Sequence, residues 1–313
     1  MIYYKKTYRT TILCLLAAGG LLFTNPVLAV NKTKNRPADN IEKIAKGVKK
    51  DIRKEAVKKQ ETIVKEAVAA LLQTKKAIEA LNKKNKQQAL DALAMVTGKL
   101  DIVIARKPDL AKAPIDVRVE TYDLISSVDT IKKTIKTAKE LLDDGKVQEA
   151  RELLMGMVSE IDIIVTSIPL ATYSAGIKDV AKLVDQEKYK EAKDKLYDLL
   201  STLIITRNII PLPILRAERM LKRAEKLATK KNRTKEENKK LKRLLADTRT
   251  QLEISEALGY GSKKEYKKFY KQIDEIEEKT ANGKFGKGFM DKLKASLKTF
   301  KEKIFNTIKP ENR

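Results

Sequence analysis

Apolar residues recur at steps of three and four along most of this chain, the period of an α-helix with one buried face. Leu93, Val96, Leu100 and Val103 follow that period, and so do Leu153, Met157, Ile161 and Ile164. A narrow stripe of Ile41, Ile44, Val48, Ile52, Val57, Val64, Val68 and Leu71 runs through otherwise charged sequence. It predicts a long N-terminal helix over residues 40–82, packed on the body or against a second copy. Near the other end, Phe289, Leu293, Leu297, Phe300, Ile304 and Ile308 predict a last helix. Thr234 with Glu237 and Ser262 with Glu265 fit capping boxes, in which hydroxyl and carboxylate satisfy the free amides of a helix start. They predict helices near 235–258 and 263–279.

Three stretches align on an Ala and a Pro 19 positions apart: Ala89 to Pro108, Ala150 to Pro169 and Ala192 to Pro211. Eight positions before each Ala stand Leu81, Leu142 and Val184, across the polar turns NKKNKQQ, DDGKVQE and DQEKYKE. Each unit therefore reads as an αα-hairpin whose small Ala allows close helix approach. Its second helix runs to the Pro, which cannot donate the next backbone bond. Leu100, Ile161 and Leu203 are expected to be equivalent core positions. Asp101 and Asp162 share one repeat position, but the third unit has Ile204 there, so both are read as helix-face or capping residues rather than a catalytic pair. The units are offset by 61 and 42 residues, which excludes a regular tetratricopeptide array. The expected fold class is all-α: a degenerate repeat of helical hairpins with a basic C-terminal helical extension.

Composition agrees with helices and removes most chemistry. Aromatics are 5%, Trp is absent, and 12 Gly and 8 Pro are too few for a sandwich with a turn every ten residues. With no His and a single Cys, Cys14, the usual general base and the soft metal ligands are missing. No catalytic, cofactor-binding or metal-binding residue is expected, and the chain reads as a non-enzyme.

Residues 1–29 have the layout of a secretory signal peptide. Lys5, Lys6 and Arg9 precede the uncharged run Thr11 to Phe23, and Val27 and Ala29 stand at the −3 and −1 positions. The run is short for a membrane span. A mature periplasmic protein starting at Val30 is expected, with an uncleaved inner-membrane anchor as the alternative.

Charge is uneven. The net charge of +25 falls to +22 without residues 1–29; residues 30–66 hold +6 and residues 214–313 hold +14. A nearly neutral middle thus lies between two basic arms. The predicted organisation is a signal peptide (1–29), a basic N-terminal helical arm (30–66), a helical repeat body (67–230) and a basic C-terminal extension (231–313). On the last helix Lys292, Lys294, Lys298, Lys301 and Lys303 share the surface beside the stripe, so with Phe289 and Phe300 they are candidates for an anionic surface. The competing expectation packs the stripe on Tyr266, Phe269, Ile273 and Ile276.

The body resembles the YfdX family of bacterial exported proteins. The stretch Ala138 to Ala228 carries the resemblance: AKELLDDGKVQEA, the junction Ile168-Pro169-Leu170-Ala171, then AKLVDQEKYKEAKDKLYDLL, with a turn of the form D-x-x-K-Y-x-E-A. The resemblance covers roughly residues 60–230. It implies a helical, often oligomeric periplasmic protein linked to envelope stress or chaperone-like binding, and brings no catalytic residues. The expected function is binding of proteins or apolar ligands in the envelope. The alternative is a peripheral binder of anionic membrane or envelope polymer; nucleic acid is not an expected partner, whereas a homo-oligomer is.

Overall fold

The computed structural model describes residues 38–306 and 309–310, so the signal peptide expected at 1–29 lies outside the described residues. Chain order is α1 (Ala38–Gln60), α2 (Lys65–Asn82), α3 (Lys86–Arg106), β1 (Lys112–Tyr122), α4 (Val128–Asp143), α5 (Val147–Met155) and β2 (Glu160–Pro169). It continues with α6 (Leu170–Asp185), α7 (Tyr189–Ser201), β3 (Ile204–Pro211), α8 (Leu212–Ala228), α9 (Lys235–Ala257), α10 (Lys263–Thr280) and α11 (Asp291–Asn306). The two-residue β4 (Lys309–Pro310) ends it. Helix dominates, but the all-α expectation needs correction: β1, β2 and β3 form an antiparallel sheet in that order, with β4 on its edge.

The threefold repeat is present, and its unit is two helices followed by a strand. The units are α2–α3–β1, α4–α5–β2 and α6–α7–β3. All three helical turns share one hydrogen-bond pattern. Lys84, Gly145 and Glu187 have φ of 53°, 74° and 57° and donate to the carbonyls of Leu81, Leu142 and Val184. The next amides, of Asn85, Lys146 and Lys188, reach back five residues to Ala80, Leu141 and Leu183. This is the Schellman closure of a helix end. Ala89, Ala150 and Ala192 are all fully buried where the second helix returns past the first.

Helices do not continue to the Pro in units two and three. α5 ends at Met155, before Gly156, and Ile161, Ile163, Ile164 and Val165 go on as strand. β-branched residues lose χ1 freedom in a helix and fit a pleated surface. Alternation at period two is therefore the stronger signal there. Pro169 and Pro211 close strands and stand as N-caps of α6 and α8. Only in unit one does the second helix reach Arg106, just short of Pro108. Leu100, Ile161 and Leu203 are consequently not equivalent: the first is buried in a helix, the second is buried in a strand and the third is half-buried between elements. The long N-terminal helix also breaks, at residues 61–64, where the Val64 amide donates to Pro114 O beside a register shift in β1.

Two cores result. One face of the sheet (Val117, Ile161, Ile163, Val165, Ile210) packs with Ile44, Val48 and Ile52 of α1 and the inner faces of α8 to α11. Ala113, Ile115 and Ile168, at one end of the sheet, join α2, α3, α6 and α7 in the other. There the hairpins of units one and three lie face to face, α3 along α6 and α2 along α7. The Tyr173 hydroxyl donates to Thr74 Oγ1 across them at 3.2 Å, and burial pushes the phenol up to about 12. α9 and α10 begin at both predicted capping boxes, Thr234/Glu237 and Ser262/Glu265.

Two stability measurements test these assignments. Glu187→Gly should raise unfolding free energy by about 1 kcal/mol, since it removes a side chain from left-handed backbone. Leu100→Ala and Ile161→Ala should each cost roughly 2–5 kcal/mol in urea melts, and Leu203→Ala clearly less, because it is only half-buried.

Candidate functional site

Strand pairing decides which side chains share the open face of the sheet. Glu120 lies opposite Asp162, Tyr122 opposite Glu160, and Ile164 opposite both Arg118 and Arg207. Because side chains alternate, Ile161, Ile163 and Val165 enter the core while Glu160 and Asp162 turn to the other side. That other side is still largely covered at its centre: Glu160 is 7% exposed and Asp162 fully buried.

A buried carboxylate requires a partner. Arg207 supplies it, with Nη2 donating to Asp162 Oδ2 and reaching Glu160 Oε1 at 3.4 Å. The second oxygen, Asp162 Oδ1, is buried with no hydrogen-bond donor among the described residues. Burial holds the Glu160 carboxyl above its usual range; the neighbouring Asp162 charge adds to that, while Tyr260 and Arg207 oppose it. Tyr260, from the turn between α9 and α10, accepts the Ser159 amide at 2.9 Å and is pushed up by burial and then by Glu160. Asp123 receives Arg216 Nη2 at 2.6 Å and lies 3.5 Å from Ser159 Oγ. Residues 123 and 159 flank the α4–α5 hairpin in sequence, so this polar junction fixes both of its stems.

The hairpin itself departs from its two counterparts. Leu81, Leu142 and Val184 are repeat-equivalent, and so are Leu93, Leu154 and Leu196. In units one and three these positions are 4% and 0%, then 1% and 0%, exposed; Leu142 and Leu154 are 46% and 39% exposed. Met155, at 72%, and Val147 and Ile125 are also open. α4 rests on α9 and buries its Ile131, but no second hairpin covers this one among the described residues.

The candidates on the last helix are arranged differently. Lys292 pairs with Glu275 at 3.5 Å, Lys294 with Glu225 at 2.7 Å and Lys301 with Glu218 at 2.8 Å. Lys303 meets Glu265 at 2.8 Å and Lys298 meets Glu302 at 3.9 Å. Phe300 is buried between Tyr266 and Phe269, ring centroids 5.5 and 5.3 Å away and nearly perpendicular, and Phe289 is half-buried. Phe289 stands just before the helix, which carries the other six and turns its stripe inward on α10. Asp101, the expected counterpart of Asp162, lies on the surface of α3 with Ser174 Oγ at 3.5 Å. The helical reading of the sequence misses the charged sheet face, although the alternation in VRVETY and EIDIIV carries it. Among the described residues no group of three or more Cys, Asp or Glu is placed to hold a metal ion.

The family model described as YfdX protein matches residues 70–209. That segment matches the YfdX family. It begins in α2 and ends in β3, so it takes in nearly all of the three repeat units, including the open hairpin and the Glu160–Asp162–Arg207 cluster. A solved structure of YfdX from Salmonella Typhi is similar at 15% identity, covering 48% of this chain and 93% of that one, with a TM-score of 0.34. No curated protein matches the chain. Helices α8 to α11 lie beyond the YfdX segment.

The carboxyl pair yields a pH test. An acid whose folded pKa is raised loses stability as pH rises from its unfolded value through the folded one. Glu160→Gln removes the titrating carboxyl and keeps an acceptor for Tyr260. It should therefore be more stable than wild type at pH 8 and equal to it near pH 4, read by urea unfolding at both.

Proposed function

We propose that the protein is a non-enzymatic binding protein of the bacterial envelope, chaperone-like in action, that holds apolar segments of other proteins against its α4–α5 hairpin. The observation that carries this reading is the burial contrast between repeat-equivalent positions. Leu142 and Leu154 keep the apolar character of residues that the other two units bury against each other, yet here they face solvent. Exposed apolar residues grouped on one element mark interaction sites, and this group sits on an amphipathic hairpin whose natural complement is another apolar helical or extended segment.

The rest of the structure suits presentation of that hairpin. Its stems are pinned by Asp123–Arg216 and Ser159–Tyr260, so a partner meets a preformed surface and less ordering is lost on binding. Export rests on the sequence of residues 1–29. No helix of the described residues is long and apolar enough to cross a membrane. The absence of His and of any thiol beyond Cys14 supports binding over catalysis.

Substituting Leu142, Leu154 and Met155 together by Glu tests the proposal. We expect aggregation of a chemically unfolded client protein to be suppressed by wild type and not by the triple variant, with thermal melting shifted by no more than a few degrees. Full suppression by a well-folded triple variant would remove the hairpin from the reading. If instead wild type is a dimer and the variant a monomer, the face belongs to a second copy of the chain.

A further inference from the structure

Helix α10 carries a second surface, outside the YfdX segment and independent of the hairpin. Its inner face is Tyr266, Phe269, Ile273 and Ile276, all buried. On the opposite side stand Lys263, Lys264, Lys267, Lys268 and Lys271, every one exposed. Steps of four along 263, 267 and 271 and along 264 and 268 put the five on one face of the helix. That face is about 12 Å long.

Three features show that folding did not select this arrangement. Lysines four apart repel one another along the stripe. They crowd the first half of the helix, where the macrodipole disfavours positive charge, while Asp274, Glu275, Glu277 and Glu278 fill the second half. None of the five makes an ion pair or hydrogen bond among the described residues, whereas the five lysines of α11 are all matched to carboxylates. The fold tolerates a local electrostatic cost on α10 and neutralises the same residue type one helix away.

We propose that the lysine face of α10 docks the protein on an anionic phospholipid surface, by electrostatic contact without insertion. Every aromatic of the helix is turned toward the core or half-buried, so the face offers headgroups charge and no wedge for the acyl layer. A straight row of ammonium groups fits a planar array of phosphates. Nucleic acid is a poorer match, because the face has no arginine for bidentate base reading and no exposed ring for stacking. The candidate lipid contact thus moves from α11, whose cations are engaged, to α10, whose cations are not.

The test uses the full mature chain and sedimentation with vesicles, either wholly zwitterionic or containing about one-third anionic phospholipid. Wild type should bind only the anionic vesicles and release as salt is raised, since screening removes such attraction. Replacing Lys263, Lys264, Lys267, Lys268 and Lys271 by Gln should lower partitioning at least about 100-fold with melting temperature unchanged or higher. A charge-matched control, Gln at Lys132, Lys133, Lys139, Lys188 and Lys190, should bind like wild type. Equal loss in the control would reduce the effect to net charge and overturn the proposal. So would undiminished binding by the α10 variant, binding of wild type to both vesicle types, or tighter competition by a short duplex oligonucleotide than by anionic vesicles.

Discussion

Strand β2 is the constraint on which the remaining structure depends. It is the central strand of the antiparallel sheet, paired with β1 along one side and β3 along the other. Its core-facing residues Ile161, Ile163 and Val165 anchor the layer of α1 and α8 to α11, and Ile168 at its end belongs to the layer of α2, α3, α6 and α7. Burial on both faces leaves Glu160 and Asp162 without water, which makes Arg207 on the neighbouring strand obligatory. Removing one member of such a pair leaves an uncompensated charge and costs far more than the pair contributes. The ion pair therefore serves register more than stability. A slip of one residue would bring Asp162 into the apolar core and Ile161 or Ile163 to the open face.

The same strand explains what the sequence revealed and what it hid. Helix ends were legible because their chemistry is local. The Thr234 and Ser262 caps, the three αα-turns and the close-packed Ala89, Ala150 and Ala192 each follow from residues a few positions apart. The sheet was hidden because its partners are distant: β1 and β2 are separated by a whole hairpin. The run from Leu153 to Ile164 satisfies helical spacing for four residues while its second half also alternates at period two. Gly156 and the density of β-branched residues were the signs that the period changes. The polar cluster was illegible for a related reason. Asp162 looked like the counterpart of Asp101 under a helical alignment, and only the strand puts it beside Arg207, 45 positions later.

Repetition with one exception is the other organising fact. Units one and three bury their hairpins against each other, which uses both apolar faces and leaves nothing for unit two. Three like units cannot all pair within one chain. Unit two carries exposed Leu142 and Leu154 at these positions, and its stems are tied down at Asp123 and Ser159 rather than left loose. A hairpin that was merely surplus would be expected to lose its apolar positions, since exposed Leu and Met favour aggregation. Exposed apolar positions on an anchored hairpin support the proposed docking of another molecule there.

Charge within the C-terminal half follows a comparable logic. Many of its cations are absorbed internally. Lys294 and Lys301 reach from α11 to Glu225 and Glu218 of α8, and Lys303 reinforces the Ser262 cap through Glu265, whose carboxyl these contacts hold down at about 2. Arg233 is buried with its guanidinium on the carbonyls of Leu227, Ala228, Thr280 and Lys284, joining the C-terminal ends of α8 and α10. With so many carboxylates and carbonyls enlisted, a uniform excess of charge would be expected to spread thinly over the surface. Lys263, Lys264, Lys267, Lys268 and Lys271 instead line one face of α10, where like charges four apart repel along the helix that bears them. A position that costs stability and has no internal partner points outward for its explanation.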